Sequence, residues 1–133
     1  MNTQKTDNIP EIYCAISISF GIDVDVLSIM GSLEHLGIEN FEIHKPTCES
    51  LVCVDIAIIK NEPFWYLDEA LTKMFLQVER SLPKIKEIIE KFHGEACIDI
   101  AFCQNGIYPA LEFSGENMKK IRFLEADISI DPY

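Results

Sequence analysis

Two short segments of the chain share one alternating pattern of hydrophobic and small or acidic side chains. Residues 53–57 read Cys-Val-Asp-Ile-Ala, and residues 97–101 read Cys-Ile-Asp-Ile-Ala. Successive side chains of a strand point to opposite faces of its sheet. The pattern therefore predicts two strands that turn aliphatic residues toward a core and small or acidic residues toward the second face of the sheet.

The same analysis along the whole chain predicts six strands and three helical stretches in the order β-α-β-β-α-β-β-α-β. Apolar residues at helical spacing predict helices after a cap at Asp23 or Asp25, from Leu67 to about His93, and after Ser114. Pro83 interrupts the long stretch, which favours a second helix that begins near Pro83 over one kinked helix. The strands are expected at 11–20, 40–45, 51–59, 95–103, 107–113 and 127–131, with a hairpin turn at 104–106.

This order predicts an α+β fold. We expect a single antiparallel-rich sheet of about six strands with the helices packed on one face. The first six elements match the ferredoxin-like order βαββαβ, and a C-terminal βαβ extends it. The length of 133 residues favours one domain over 11–133, preceded by a flexible leader at 1–10.

The second face of the predicted sheet carries six acids and no Lys or Arg. A solvated sheet face normally mixes both signs of charge, because like charges across strands are destabilising. We therefore expect a surface for a basic partner formed by Asp55, Asp99, Glu112, Asp127, Asp131 and Glu42. Dispersed, hydrated acids or a homodimer through the small residues would explain the same pattern. The full set assigned by alternation is Tyr13, Ala15, Ser17, Ser19, Glu42, His44, Cys53, Asp55, Ala57, Cys97, Asp99, Ala101, Cys103, Glu112, Asp127, Ser129 and Asp131.

The net charge of the chain argues against nucleic acid as a partner. The chain has 11 basic and 22 acidic residues, a net charge of −11. Such a protein repels a phosphate backbone, so we expect no nucleic-acid binding. No apolar run reaches the roughly 20 residues of a membrane-spanning helix. Five cysteines without a CxxC pair, and no secretory hydrophobic segment, favour the cytoplasm.

No residue cluster indicates catalysis, a metal or a cofactor. If the first strand lies between the two near-repeats, Asp55 and Asp99 are about 10 Å apart, too far to share a proton. Cys97 and Cys103 lie about 20 Å apart along one strand and cannot share a zinc ion. An enzyme or small-ligand binder with a pocket near Trp65 or Cys53 is the alternative to a binding protein.

Several marks in order along the chain resemble one bacterial family. They are an Asp-containing turn after the first strand, a helix that ends in Leu-Gly, a Trp before the long helix, a Leu-x-Pro inside it, and a closing Asp-Ile-x-Ile-Asp-x-Tyr. Here these are residues 22–25, Leu36 and Gly37, Trp65, Leu82 and Pro83, and residues 127–133.

The family that these marks resemble is catalogued as domain of unknown function 4279. The usual Gly-Asp of its opening turn is replaced here by residues 20–23, Phe-Gly-Ile-Asp, and its basic residues after the second strand reduce to His44 and Lys45. The resemblance covers most of residues 12–133. It implies a compact bacterial α+β domain and carries no established activity or catalytic residues.

Three functions stay open from the sequence. The first is a non-enzymatic binding protein, in its sharpest form an immunity-type antidote whose acidic surface caps a basic toxin. The second is the small-ligand binder or enzyme with a pocket near Trp65. The third is a homodimeric structural module.

Overall fold

One sheet and a layer of helices make up the fold. The computed structural model describes residues 9–45, 50–103 and 108–133, and this part contains five strands, four α-helices and one 3₁₀ turn. The elements are β1 (Glu11–Gly21), α1 (Val26–His35), β2 (Phe41–His44), β3 (Leu51–Pro63), α2 (Leu67–Leu76), the 3₁₀ turn (Glu79–Ser81), α3 (Leu82–Lys91), β4 (Glu95–Phe102), α4 (Gly115–Phe123) and β5 (Asp127–Pro132). The predicted α+β class is confirmed. Most of the predicted leader, 1–8, lies outside the described residues.

The sheet has the strand order β2-β3-β1-β4-β5. The three pairs among β2, β3, β1 and β4 are antiparallel, and β4 pairs with β5 in parallel. The two near-repeats lie on β3 and β4, with β1 between them as expected. The sheet is therefore mixed, with antiparallel pairs in the majority.

The expectation of about six strands is not met in the described residues. Residues 108–113 form no strand, and only Ala110 makes an isolated parallel bridge, to Tyr66. Two causes are visible: Pro109 lacks an N–H for a ladder, and β5 already occupies the edge of β4 that a returning hairpin strand would use. The predicted turn at 104–106 lies outside the described residues.

One hydrophobic core lies between the sheet and the helices. Alternate residues of β1, from Ile12 to Phe20, join a single buried cluster with the apolar faces of all four helices. Asp25 caps α1 by accepting the Ser28 N–H. Pro83 lies in the first turn of α3, which confirms the prediction that a separate helix begins near Pro83. All helices contribute to this cluster, which leaves the other face of the sheet uncovered by them.

A β-bulge in β3 overturns part of the alternation. The register between β1 and β3 shifts twice, and Ala57 and Asn61 have positive φ angles of 55° and 48°. An extra residue in a strand reverses the faces of the side chains that follow it, until a second extra residue restores them. Ala57, which strict alternation assigns to the second face, is instead part of the hydrophobic core.

A buried polar contact fixes α4 against α2. The Asn117 side chain is 1% exposed, and its amide nitrogen lies 2.8 Å from Asp68 Oδ1 and 3.0 Å from Thr72 Oγ1. The Ser114 N–H also donates to Asp68 Oδ1, at 2.8 Å. Burial raises the pKa of Asp68, but these hydrogen bonds outweigh it and hold that pKa below the usual value. The contact therefore positions the crossover from β4 to β5.

Candidate functional site

The candidate site is the sheet surface opposite the helices, which we call the open face. It holds the alternate side chains that stay outside the core on the five strands. The strand register arranges them in rows across the sheet, of which the longest runs from Glu42 through Asp55, Ser17 and Cys97 to Asp127. The open face includes Tyr13, Ala15, Ser17, Ser19, Glu42, His44, Cys53, Asp55, Lys60, Glu95, Cys97, Asp99, Ala101, Asp127, Ser129 and Asp131.

Asp55 lies near the middle of β3 and is held by two neighbours. It is 7% exposed, which is unusual for a carboxylate without a cation beside it. The Tyr13 hydroxyl donates to Asp55 Oδ2 over 3.3 Å, and His44 Nε2 lies 3.3 Å from the same oxygen. A buried carboxylate needs such partners because desolvation of an unpaired charge is costly. The open face therefore has a fixed anionic group at its centre.

Tyr13 spans much of β1 to reach this carboxylate. Asp55 pairs with Ser17, four residues along β1, so the phenol ring must pass the small Ala15. Ala15 is fully buried although it lies outside the core cluster. Burial, followed by the negative charge of Asp55 and Asp99, raises the pKa of Tyr13 far above its usual value. The phenol therefore stays a neutral hydrogen-bond donor.

Asp99 lies on β4, on the other side of β1 from Asp55. It pairs with Ala15 on one side and with Ser129 on the other. Burial, then the charges of Asp55 and Asp131, raise the pKa of Asp99. The carboxylates of Asp55 and Asp131 thus repel that of Asp99, and the side chains between them are small.

The remaining predicted acids divide into two groups. Glu42 is half-buried on β2, while Asp127 and Asp131 are exposed on β5, so all three lie on the open face. Glu112 lies elsewhere, because residues 108–113 form no strand. It lines a depression beside the start of α2, with Tyr66 and Asp68. The predicted surface therefore keeps five of its six acids.

The open face is not free of cations, contrary to the expectation of no Lys or Arg. Strict alternation along β3 would place Lys60 on the helical side of the sheet, but the bulge at Ala57 places it on the open face. There Lys60 Nζ lies 3.6 Å from Glu42 Oε1. This ion pair is largely exposed at the end of the row and is worth little. The alternating pattern of 53–57 contains no sign of the bulge, so Lys60 was missed.

The two residues proposed for a pocket lie far apart. Cys53 is on the open face near the start of β3, where its Sγ lies 3.7 Å from Ser19 Oγ. Trp65 follows the end of β3 and is 47% exposed. Ten to twelve extended residues separate them, about 30 Å, so they cannot line one cavity. The depression next to Trp65, at Tyr66, has a volume of about 270 Å³, small for a ligand pocket.

A larger groove lies on the helical side of the protein. It has a volume of about 510 Å³ and runs between α1 and α3, with Gly31, His35, Ile88 and Lys91 among its lining residues. The Ser28 hydroxyl there donates to Asp25 Oδ2, the Ser32 hydroxyl donates to the Ser28 carbonyl, and Lys84 pairs with Glu87. These polar side chains of the groove therefore have partners within their own helices or their caps.

The open face combines carboxylates with neutral hydrogen-bond donors and small side chains. Within residues 9–45, 50–103 and 108–133, no three His, Cys, Asp or Glu side chains are placed to hold a metal ion. β1 separates Asp55 from Asp99, and Tyr13 is a neutral donor. Burial, then Asp99 and Asp127, raise the pKa of Cys97, which keeps that thiol protonated. The open face therefore presents several carboxylates beside small Ala and Ser side chains.

No family model matches the chain, and no curated protein or solved structure shows significant similarity to it. The resemblance to domain of unknown function 4279 therefore stays a prediction. Among the described helices, none combines the length and apolar character needed to cross a membrane.

Proposed function

We propose that this protein is a non-enzymatic binding protein whose open face holds a basic protein partner. In its sharpest form it is an antidote that covers the cationic surface of a toxin. Such a partner supplies the Lys and Arg side chains that the open face lacks apart from Lys60. Electrostatic complementarity of this kind gives fast association and selects against acidic partners.

One observation carries the proposal: Asp55 is nearly buried at the centre of the open face, and its partners among the described residues are Tyr13 and His44 and not Lys or Arg. Asp99 adds a second carboxylate whose pKa is raised by burial and by its acidic neighbours. A fold has no need of mutually repelling carboxylates on one face. A cationic partner relieves that repulsion, so the arrangement favours binding over a purely structural role.

The proposal also includes a ferredoxin-like topology and a bacterial, cytoplasmic location. We infer that β1 to β4, with α1 to α3, form a ferredoxin-like core to which α4 and β5 are added. The strand order β2-β3-β1-β4 with antiparallel neighbours supports this. A bacterial, cytoplasmic protein would agree with the four described cysteines, which are all free thiols.

Affinity capture from a lysate of the source organism tests the proposal. The immobilised protein is compared with a face variant that carries Asp127→Lys and Asp131→Lys, both exposed substitutions. A matched control carries Glu34→Lys and Glu90→Lys on exposed helix positions, so the net charge changes equally. We expect a basic protein that the wild type and the control retain at low salt and that the face variant loses.

The salt dependence of that capture supplies the second criterion. Raising the ionic strength screens exposed charges beyond about 10 Å at 0.1 M salt, so the partner should elute as salt rises. Retention of the same protein by the face variant, or loss by the helical control alone, would refute the proposal.

A further inference from the structure

Strand β5 is an edge of the sheet, and no described strand pairs with its outer side. An edge strand presents unpaired N–H and C=O groups that can accept another strand. Natural edges are usually protected by Lys, Pro, a bulge or a covering element. Here Pro132 ends the strand, but residues 127–131 contain neither Lys nor Pro.

The hydrogen bonding identifies which peptide groups face outward. Tyr133, just after β5, donates its N–H to the Phe102 carbonyl on β4. Peptide groups of a parallel strand alternate between its two sides. Ser129 and Asp131 therefore also face β4, while the N–H and C=O groups of Ile128 and Ile130 point away from the sheet.

The side chains of β5 are apolar on one face of the sheet and acidic on the other. Ile128 and Ile130 are each 38% exposed on the helical side, although the isoleucines of β1, β3 and β4 are buried. Asp127 and Asp131 are exposed on the open face. A strand added next to β5 would therefore place every second side chain against isoleucine and the intervening ones against aspartate.

This pattern favours one occupant over a second copy of the chain. If two β5 strands paired antiparallel around Ser129, Asp127 of each copy would lie opposite Asp131 of the other. Like charges directly opposite each other destabilise a strand pair. An extended segment with alternating basic and apolar residues instead pairs cations with the aspartates and apolar side chains with the isoleucines.

We propose that the outer edge of β5 binds an extended basic–apolar segment of a partner protein by antiparallel β-strand addition. The inference rests on the proposed function, and names the element through which the basic partner is held. The backbone of Ile128 and Ile130 supplies the hydrogen bonds, while Asp127 and Asp131 select the charge.

A peptide-binding experiment tests this edge directly. The probe is a fluorescent seven-residue peptide of alternating lysine and valine, measured by anisotropy at low salt against the full-length protein. The control is the same peptide N-methylated on its valines, which keeps the charge but removes the N–H groups that would face β5. We expect the methylated peptide to bind about tenfold more weakly, as for the loss of two backbone hydrogen bonds.

A protein variant provides the reciprocal measurement. Ile130→Pro removes an outward N–H and leaves the bonds to β4, while Ile130→Thr loses similar apolar surface but keeps the N–H. Proline should weaken binding of the unmethylated peptide about threefold relative to threonine, as for the loss of one backbone hydrogen bond. If Ile130→Pro fails to fold, the two peptides still decide the matter on the wild-type protein.

The peptide experiment and the lysate capture test two different hypotheses, namely strand addition at β5 and binding of a basic partner by the open face. Equal binding of the two peptides, or no saturable binding of the unmethylated one, overturns strand addition at β5. Neither result decides the lysate capture, because the face variant and its helical control differ in where the charge is reversed and not in backbone hydrogen bonds. Conversely, a partner that the face variant retains refutes the proposed function, whatever the peptides do.

Discussion

Replacing Asp99 with asparagine should stabilise the protein, because the wild-type carboxylate is held among other acids. Burial raises the pKa of Asp99, and the charges of Asp55 and Asp131 raise it further. A raised pKa means that the folded state disfavours the charged form. Asparagine has nearly the same shape and no charge, so Asp99→Asn removes the repulsion without opening a cavity.

The register of the sheet gives the magnitude. Asp131 pairs with Ala101, two residues from Asp99 on β4, so the two acids lie on a diagonal of about 8 Å. Two unit charges at that distance repel by about 0.5 kcal/mol in water and about 2 kcal/mol at an effective dielectric of 20. Since Asp99 is only half-buried and Asp131 is exposed, solvent screening favours the lower part of that range. We expect a gain of about 1 kcal/mol at pH 7.

Urea unfolding followed by circular dichroism measures this gain. The gain should shrink as salt is added, because salt screens the repulsion. The penalty is complete above the folded-state pKa of Asp99 and absent below the unfolded value of about 3.9. The difference between the two proteins should therefore narrow as the pH falls through the raised pKa. Glu34→Gln, an exposed change on α1, serves as the control and should alter stability by less than about 0.5 kcal/mol.

The reasoning would be refuted if Asp99→Asn destabilised the protein at pH 7, or if its effect did not depend on salt and pH. Either outcome would mean that Asp99 makes a favourable interaction within the fold. The open face would then be a structural feature, and the argument from repelling carboxylates would lose its basis.

Two further substitutions and one labelling experiment test the packing that supports the open face. Asn117→Ala should cost about 2–3 kcal/mol in urea unfolding, because it removes a hydrogen bond to the charged Asp68 and a neutral one; the cost should fall as the pH drops through the lowered pKa of Asp68. Gly94→Ala should cost about 1–3 kcal/mol, since its Cβ would lie 2.6 Å from the Phe20 ring, and a thermal melt would show no change if the ring can move freely. Burial raises the pKa of Cys14 to about 12, so a thiol reagent at pH 8 should label it only at the rate of unfolding, and rapid labelling of the native protein would contradict that burial.

The parts of the fold that follow from local periodicity could be predicted. The near-repeats at 53–57 and 97–101 mark β3 and β4 because a half-buried strand requires alternation. Pro83 marks the start of α3 because proline is tolerated only in the first turn of a helix. Ser114 caps α4 as expected, accepting the Asn117 N–H.

The features that depend on tertiary context could not be predicted. Val-Asp-Ile-Ala shows no glycine or other sign that Ala57 takes a positive φ and shifts the register, so Lys60 was not expected on the open face. Residues 107–113 have the composition of a strand, but β5 occupies the edge they would need. The buried contact of Asn117 with Asp68 joins residues 49 positions apart, which no local pattern reveals.

The candidate site was predicted to the extent that alternation held. Glu42, Asp55, Asp99, Asp127 and Asp131 lie on the open face, because the strands that carry them keep their register there. Glu112 does not, because it depended on the missing strand. The contact of Tyr13 with Asp55 could not be foreseen, since it runs diagonally across the sheet.

The association rate of the captured basic partner, measured by stopped flow over a range of salt, tests the central claim most directly. We expect association to slow steeply with salt for the wild type and for the Glu34→Lys, Glu90→Lys control. The Asp127→Lys, Asp131→Lys variant should associate more slowly at low salt and depend less on salt, because the attracting charges are reversed. Equal rates and equal salt dependence for this variant and the wild type would contradict the assignment of the open face as the binding surface.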